Sequence, residues 1–371
     1  MKFVCEGLNL SDAAITVSKA CSSKTTNPVL ECIKINAHND GLTLTAYDGE
    51  ISIEKKIKAE VFEEGEVCVN GKLFTDFIGK ISGMSVVIYE NDRGIKISYG
   101  DNETNMQTLP AEQFPSIGAE KGEDYFEIKE CDFKNLILKT AFCCASDDSR
   151  PILKGCLLET KDGKLNASAL DGFRMAVSSC EFSGGNKDVK IVCPARTLTE
   201  IARMMAGDDE IIRLYVNKNM LFVEIDDTTL TSRLYVGEFV RKENIYPVEF
   251  TTEAIVNRNE MISSIERAAI VIRGNKKTWV ELDIKPGSVT VNANSDIGNV
   301  TESVTANTRG KELKIAMNEK YILDALKALE EEKAVLSFNS AVSPFTVENE
   351  ENKNSSYLIL PFRTGASGEN N

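Results

Sequence analysis

The chain carries nearly the same pattern three times, and this constrains its fold more than any other feature. The segment Pro28-Val29-Leu30 leads through a strand to a turn at Asp40-Gly41, a second strand from Leu42 and an acid at Asp48. The order returns as Ile152-Leu153, Asp162-Gly163, Lys164-Leu165 and Asp171, and again as Trp279-Val280-Glu281-Leu282, Pro286-Gly287, Ser288-Val289 and Asp296. Gly41, Gly163 and Gly287 are 122 and 124 residues apart, so the period is that of a domain and not of a solenoid repeat. A chain of 371 residues divided by three gives units near the common domain size of about 100 to 150 residues.

Each unit reads helix, strands, helix, strands. The first helices are expected near Leu8 to Ala20, Asp132 to Ala145 and Asn259 to Ile270, the second with Asp132 as N-cap and an apolar stripe of Phe133, Leu136, Ile137, Ala141 and Cys144. The second helices are expected near Lys72 to Ile81, Pro194 to Ala206 and Asn318 to Leu329, with Pro194 in a first turn, Asn318 as N-cap, and Leu73, Phe74, Phe77, Ile78 and Ile81 as one apolar stripe. Strand pairs follow each: Val86–Tyr89 with Ile95–Ile97, Ile211–Tyr215 with Leu221–Ile225, and Ala334–Phe338 with Phe345–Val347. Turn formers close the units at Phe114 through Gly122 and at Tyr246-Pro247-Val248-Glu249. The expected fold class is α+β, with domains at 1–122, 123–249 and 250–364 and a disordered tail over 365–371.

Ten cysteines raise the question of disulfides or zinc, and their spacing supports neither. There is no C-x-x-C, the only histidine is His38, and Cys5, Cys32, Cys68, Cys156 and Cys193 fall in apolar strand-like runs where a reduced thiol serves as a small hydrophobe. Neither a metal nor a cofactor is expected. The start, Met1-Lys2-Phe3-Val4-Cys5-Glu6, lacks the apolar run of a signal peptide, and no run of 18 apolar residues is present, so a reducing cytoplasm and no membrane partner are the expectation.

The net charge of −14 and the pI near 4.9 would, taken alone, argue against a nucleic-acid partner. The distribution of charge reverses that argument. The six helical segments together carry +4, so −18 lies everywhere else. On the second helices Lys72 and Lys80, Arg196 and Arg203, and Lys320 and Lys327 are seven or eight residues apart, two turns, so each pair shares one face. The first helices add Lys19 with Lys24, Lys134 with Lys139, and Arg258 with Arg267. One amphipathic helix carries such residues merely as a solvated face. Six helices in threefold repetition fit a lining that touches phosphates without reading bases.

Four stretches then carry a resemblance: Met1-Lys2-Phe3, Thr108-Leu109-Pro110-Ala111-Glu112-Gln113-Phe114-Pro115, Leu170-Asp171-Gly172-Phe173-Arg174-Met175-Ala176, and Tyr357-Leu358-Ile359-Leu360-Pro361-Phe362-Arg363. In this order, and from Met1 to about Thr364, the chain resembles the bacterial DNA sliding clamp, the beta subunit of the replicative DNA polymerase. The resemblance implies three clamp domains, each with two helices inside and antiparallel sheets outside, closing as a head-to-tail dimeric ring. Such a ring is a processivity factor and not an enzyme. Its implied partners are duplex DNA without sequence specificity, a second copy of itself, a clamp loader, and replicative polymerase and repair proteins that dock through short peptide motifs.

The resemblance also implies site residues. The basic residues named above, with Arg150, would face DNA. Met106, Ile270 and Val271 would meet the second copy. Partner peptides would enter a pocket of Leu153, Leu170, Gly172, Phe173, Arg174, Met175, Val240, Ile245, Asn318, Tyr321, Val342, Pro344, Leu358, Ile359, Leu360, Pro361, Phe362 and Arg363. Apolar walls suit a Leu or Phe anchor, while Arg174, Asn318 and exposed backbone would take polar groups. Pro361 cannot donate to a ladder, which suggests an edge strand with free backbone there.

The chain departs from the family where Leu170 and Phe173 replace a usual Thr and His, where Val240 replaces Pro, where Pro151 and Ile152 stand in place of tyrosines near DNA, and where Thr364 and the tail extend past the usual end. Arg150 and Lys24 keep basic character close by. Two rival readings remain open in the sequence. One is an acidic three-domain scaffold with no DNA role. The other is an enzyme using Asp147, Asp148 and Asp171 to hold a metal, against which the equivalent Asp48 and Asp296 suggest a turn-capping role.

Overall fold

A computed structural model describes residues 1–117, 121–274 and 279–363. Gly118 of the first linker, Thr364 and the tail over 365–371 lie outside the described residues. The chain packs as two compact units: Met1–Cys131 with Ser183–Lys187 and Glu200–Leu234, and Asp132–Phe182 with Asp188–Thr199 and Tyr235–Asn371.

Six helices recur at the repeat spacing: α1 (Gly7–Ser18), α2 (Gly71–Ile78), α3 (Glu130–Leu138), α4 (Ala195–Met204), α5 (Arg258–Ile272) and α6 (Glu319–Ala328). Their amphipathic spacing explains what they bury. In α1 Leu10, Ala13, Ala14 and Val17 are buried at helical intervals, and Thr75 Oγ1 of α2 donates to the Ala14 carbonyl at 3.3 Å. Asparagines cap three of them: Asn70 accepts from Leu73 N, Asn257 from Glu260 N, and Asn318 from Lys320 N and Tyr321 N.

Four local expectations are corrected. Asp132 is not an N-cap, because the strand Tyr125–Lys129 runs directly into α3 at Glu130 and leaves Asp132 inside the first turn. That helix also stops at Leu138, with a separate 3-10 turn at Ala141–Cys143. Pro194 closes the strand Lys190–Pro194 opposite Gly155 and does not enter α4; the strand is the edge of its sheet, where a residue without an N–H is tolerated. Leu73 is 55% exposed, so the buried stripe of α2 is Phe74 and Ile78, with Phe77 edge-on to Tyr99 at 5.7 Å.

In the first unit a five-stranded antiparallel sheet sits beside a ten-stranded one. The larger sheet joins two repeats, since Ile51–Ile57 of the first pairs with Thr228–Arg233 of the second, placing Ile53 opposite Leu230. In the second unit twelve strands form one series, and the same kind of junction recurs. Arg174–Glu181 of the second repeat pairs with Ser355–Ile359 of the third, with Met175 opposite Leu358. The equivalent strand of the third repeat, Gly298–Gly310, pairs Ser288–Ser295 along residues 298–305 and Thr252–Val256 along residues 306–310, so each half has a partner on one side alone. In the first repeat Asn102–Met106 pairs, among the described residues, only with Gly94–Tyr99, as the edge of the five-stranded sheet.

The repeated hairpins are near copies. Asp162 (φ 54°) and Gly163 (φ 73°) both take left-handed backbone, the two-residue turn whose twist matches its strands. The first repeat has a two-residue loop as well, Asn39-Asp40, but its glycine comes one place later, so Gly41 opens the next strand. A Cβ at Gly41 would stand 2.5 Å from the Ile57 carbonyl oxygen, which accounts for glycine there. All ten cysteines are free thiols, and burial pushes Cys5, Cys68 and Cys156 up to about 12, consistent with packing rather than reactive roles. Among the described residues no helix is long and apolar enough to cross a membrane.

Candidate partner-peptide site and nucleic-acid faces

The second unit gathers much of the expected peptide pocket into one apolar cluster. Leu153, Leu170, Met175 and Leu358 are buried together with Ala145 and Val177, and Val240, Ile245, Ile152, Phe239 and Tyr246 pack against them half-buried. The cluster follows from register. Leu170 and Met175 are cross-strand partners flanking a tight turn, and Leu358 lies opposite Met175 on the other side. Tyr246 fastens the neighbouring loop by donating its hydroxyl to the Ser356 carbonyl at 3.2 Å.

The turn itself, Asp171-Gly172-Phe173, presents an aromatic outward. Asp171 Oδ1 accepts from Phe173 N at 2.9 Å and Arg174 N at 3.0 Å, and Gly172 takes φ +92°, open space but a backbone strained for any side chain. Asp48 makes the same turn in the first repeat, accepting from Glu50 N and Ile51 N at 3.0 Å each. In the third, Ser295 Oγ accepts from Ile297 N at 3.3 Å instead of Asp296. Asp147 likewise accepts from the Ser149 amide and hydroxyl, and Asp148 pairs with Lys154 at 2.7 Å. These acids are committed to turns and an ion pair.

Arg174 is not a free donor for a peptide. It is 8% exposed; Nε donates to Asp171 Oδ2 at 2.9 Å, one terminal nitrogen to Asp324 at 2.6 Å and the other to the Phe142 carbonyl at 3.1 Å. Its guanidinium also lies 4.5 Å from the Tyr321 ring centroid. Asn318 is occupied in capping α6 through its carbonyl oxygen. Sequence reasoning missed Asp324 and Phe142 as supports of this turn; Asp324 lies three residues after Tyr321, on the same helical face, which is the signal that could have found it.

The edge expected at Pro361 is absent, because Ser355–Ile359 lies between two strands in the sheet interior. Beyond it Leu360 N donates to the Phe173 carbonyl at 2.9 Å and Phe362 N to the Ala316 carbonyl at 2.8 Å, so Pro361 falls between two tethered residues. Ile359 is buried, Leu360 and Phe362 are partly open at 37% and 39%, and Arg363 is exposed. Phe362 lies against Trp279, ring centroids 5.7 Å apart, and is not among the residues packed on the apolar cluster. Val342 is exposed in the Ser340–Ser343 turn, and Pro344 precedes the strand residue Phe345 that pairs with Ile359.

The expected DNA-facing residues divide into two groups. Lys24, Lys72, Lys80, Arg150 and Lys320 are exposed and form no ion pair among the described residues; Lys19 and Arg196 are exposed as well. In the third repeat the positive charge is largely matched: Arg267 grips Glu302 through two nitrogens at 2.8 and 2.6 Å, Lys327 meets Glu266 at 2.7 Å, and half-buried Arg258 donates to the Leu329 carbonyl at 2.5 Å. Lys139 pairs with Glu330 at 2.9 Å, Arg203 with Glu200 at 2.5 Å, and Lys134 is half-buried.

The family model of the DNA polymerase III beta subunit matches in three parts: the N-terminal domain over residues 1–118, the central domain over 127–240 and the C-terminal domain over 243–363. The chain belongs to the DNA polymerase III beta subunit family. The beta sliding clamp of Bacillus subtilis is 30% identical over 377 residues, covering 98% of this chain and all of that one. The crystal structure of the Bacillus subtilis DNA polymerase sliding clamp superposes with a TM-score of 0.94 over 98% of this chain and all of that one. A putative beta subunit from Eubacterium rectale is similar at 29% identity, with TM-score 0.93 over 99% of this chain and all of that one. A sliding clamp from Pseudomonas aeruginosa, 25% identical with TM-score 0.91 over 98% of this chain and 99% of that one, was solved bound to griselimycin.

Within this beta-subunit chain the three expected interface residues differ in kind. Ile270 is 64% exposed near the end of α5, and Val271 beside it is half-buried. Met106 is 6% exposed and packs in the core opposite Ile95, so its strand can offer an unpaired backbone edge but its side chain offers little surface.

Proposed function

We propose that two copies of this chain close into a ring around duplex DNA and act as the processivity factor of a bacterial replicative polymerase. The observation that carries this is the repeated strand junction. Twice within the chain, the fourth strand of one repeat pairs with the last strand of the next. The remaining members of the pattern, Gly298–Gly310 and Asn102–Met106, each keep an edge without a partner among the described residues. Pairing them between two copies, in both directions, removes both edges and closes the series.

Such a ring holds DNA by enclosure rather than by tight contact. The exposed Lys19 and Lys24 after α1, Lys72 and Lys80, Arg150, Arg196 and Lys320 attract the phosphate backbone, a sequence-independent force that salt screens, and so leave the ring free to slide. The apolar cluster of Leu153, Leu170, Met175, Val240, Ile245 and Leu358, with Phe173 and Tyr321 beside it, would take the apolar end of a short partner peptide. Its role is then to tether and not to catalyse, in the bacterial cytoplasm where the chromosome is copied.

Primer extension under single-encounter conditions tests the proposal, using the replicative polymerase and ATP-driven loader of the same organism. Tethering should lengthen products by roughly a hundredfold, at the lower end of what effective concentration provides. Unchanged product length with a loaded protein would remove the reading.

A further inference from the structure

One strongly acidic cleft has no part in that function. In the first unit a cavity of about 650 Å³ is lined by six carboxylates: Glu127, Glu130, Asp208, Glu210, Glu224 and Asp226. Two are matched, Glu127 by the Arg213 guanidinium and Glu224 by Lys121 at 2.7 Å. Four have no ion-pair partner among the described residues.

Glu130 is the decisive member. It is only 4% exposed, and its Oε1 is buried without a hydrogen-bond partner among the described residues. The same carboxyl is hydrogen-bonded to Asp208 and to the Ala206 and Gly207 backbone, so Oε1 is the position on it left to receive a cation or a proton. Burial first, and the Asp208 carboxyl second, push the Glu130 pKa up.

The shape of the cleft selects among cations. No three His, Cys, Asp or Glu side chains among the described residues are placed to coordinate a metal ion, so the carboxylates do not converge on one point. Met204, Ile211 and Ile225 supply apolar wall between them. Separated carboxylates with apolar surface in the gaps match an aliphatic chain that carries ammonium groups at intervals.

We propose that this cleft binds linear aliphatic polyamines, with a terminal ammonium held by Glu130 and Asp208, further ammonium groups on Glu210 or Asp226, and methylenes on Met204, Ile211 and Ile225. An adjoining cavity of about 580 Å³ shares Met204, Ile225 and Asp226 and mixes Lys19, Lys55 and Arg203 with Asp12, Glu200 and Asp227, Lys55 being paired with Asp12 and Arg203 with Glu200.

Calorimetric titration of the full chain with spermidine, at physiological ionic strength, tests this. Saturable one-site binding is expected, weakened about tenfold in Glu130→Gln and again in Asp208→Asn as each substitution removes one charge-assisted hydrogen bond, and unchanged in Asp101→Asn elsewhere on the surface. Butylamine, with a single ammonium, should bind far more weakly, and magnesium should not displace spermidine at matched ionic strength. Absence of saturable binding, equal binding in the Glu130 and Asp208 variants, or butylamine as good as spermidine would overturn the proposal. Should Glu130→Gln fail to fold, the exposed pair Glu210→Gln and Asp226→Asn decides the question by the same tenfold criterion.

Discussion

Phe173 lies stacked against Tyr321, ring centroids 6.4 Å apart and planes 24° from parallel, while 61% of the Phe173 surface stays open. The turn holding Phe173 belongs to the second repeat and α6 to the third, so one aromatic shelf is built from both. An exposed ring beside a buried apolar cluster is suited to an apolar anchor from a partner.

For a partner peptide with a Gln near its start and a Leu or Phe near its end, the apolar end should dominate. Truncating that end should cost roughly 1.5–3 kcal/mol, the worth of burying a large apolar side chain, against about 0.5–1.5 for the Gln hydrogen bond. Isothermal titration against wild type and Phe173→His measures both terms. The histidine should narrow the gap, and a larger cost for the Gln change in wild type would show that the shelf is not where the anchor binds.

Arg174 should matter to stability before it matters to recognition. Replacing it with Met removes its bonds to Asp171, Asp324 and the Phe142 carbonyl and leaves two partly buried carboxylates without their counterion. Breaking such a pair costs about 3–5 kcal/mol. Urea unfolding should record the loss, with Asp324→Asn milder because the amide oxygen can still accept. An unchanged midpoint in Arg174→Met would mean that the network is ornamental.

Ile270 and Val271 replaced together by Ala should give a folded monomer in light scattering, because the more exposed of the two contributes little to the chain's own core. Met106→Ala should behave differently, losing about 2–5 kcal/mol of stability from a buried core position. A double variant that remains dimeric would exclude α5 from the interface.

Much of this was legible in the sequence because it depends on periodicity. The six helices, the hairpins after Asp40, Asp162 and Pro286, and the apolar residues Leu153, Leu170, Met175 and Leu358 all follow from alternation and repeat spacing. What escaped depends on long-range pairing. Pro361 looks like an edge residue, yet Ser355–Ile359 gains a strand on each side only once Arg174–Glu181 of another repeat arrives. Arg174 looks like a surface donor until α6 brings Asp324 within 2.6 Å, and Arg267 looks free until Glu302 is folded against it. Glu130 sits at an ordinary strand-to-helix join, and only the fold buries it next to Asp208.

Enclosure of DNA is the central claim, and topology tests it most directly. The protein loaded on nicked circular DNA should remain bound in salt that abolishes charge-mediated binding, whose dependence has a log–log slope of about −0.9 per phosphate neutralised. Cutting the circle should then release it by sliding off the ends. Equal retention on circular and linear DNA with free ends, or loss from the intact circle at the salt that abolishes simple binding, would contradict the account.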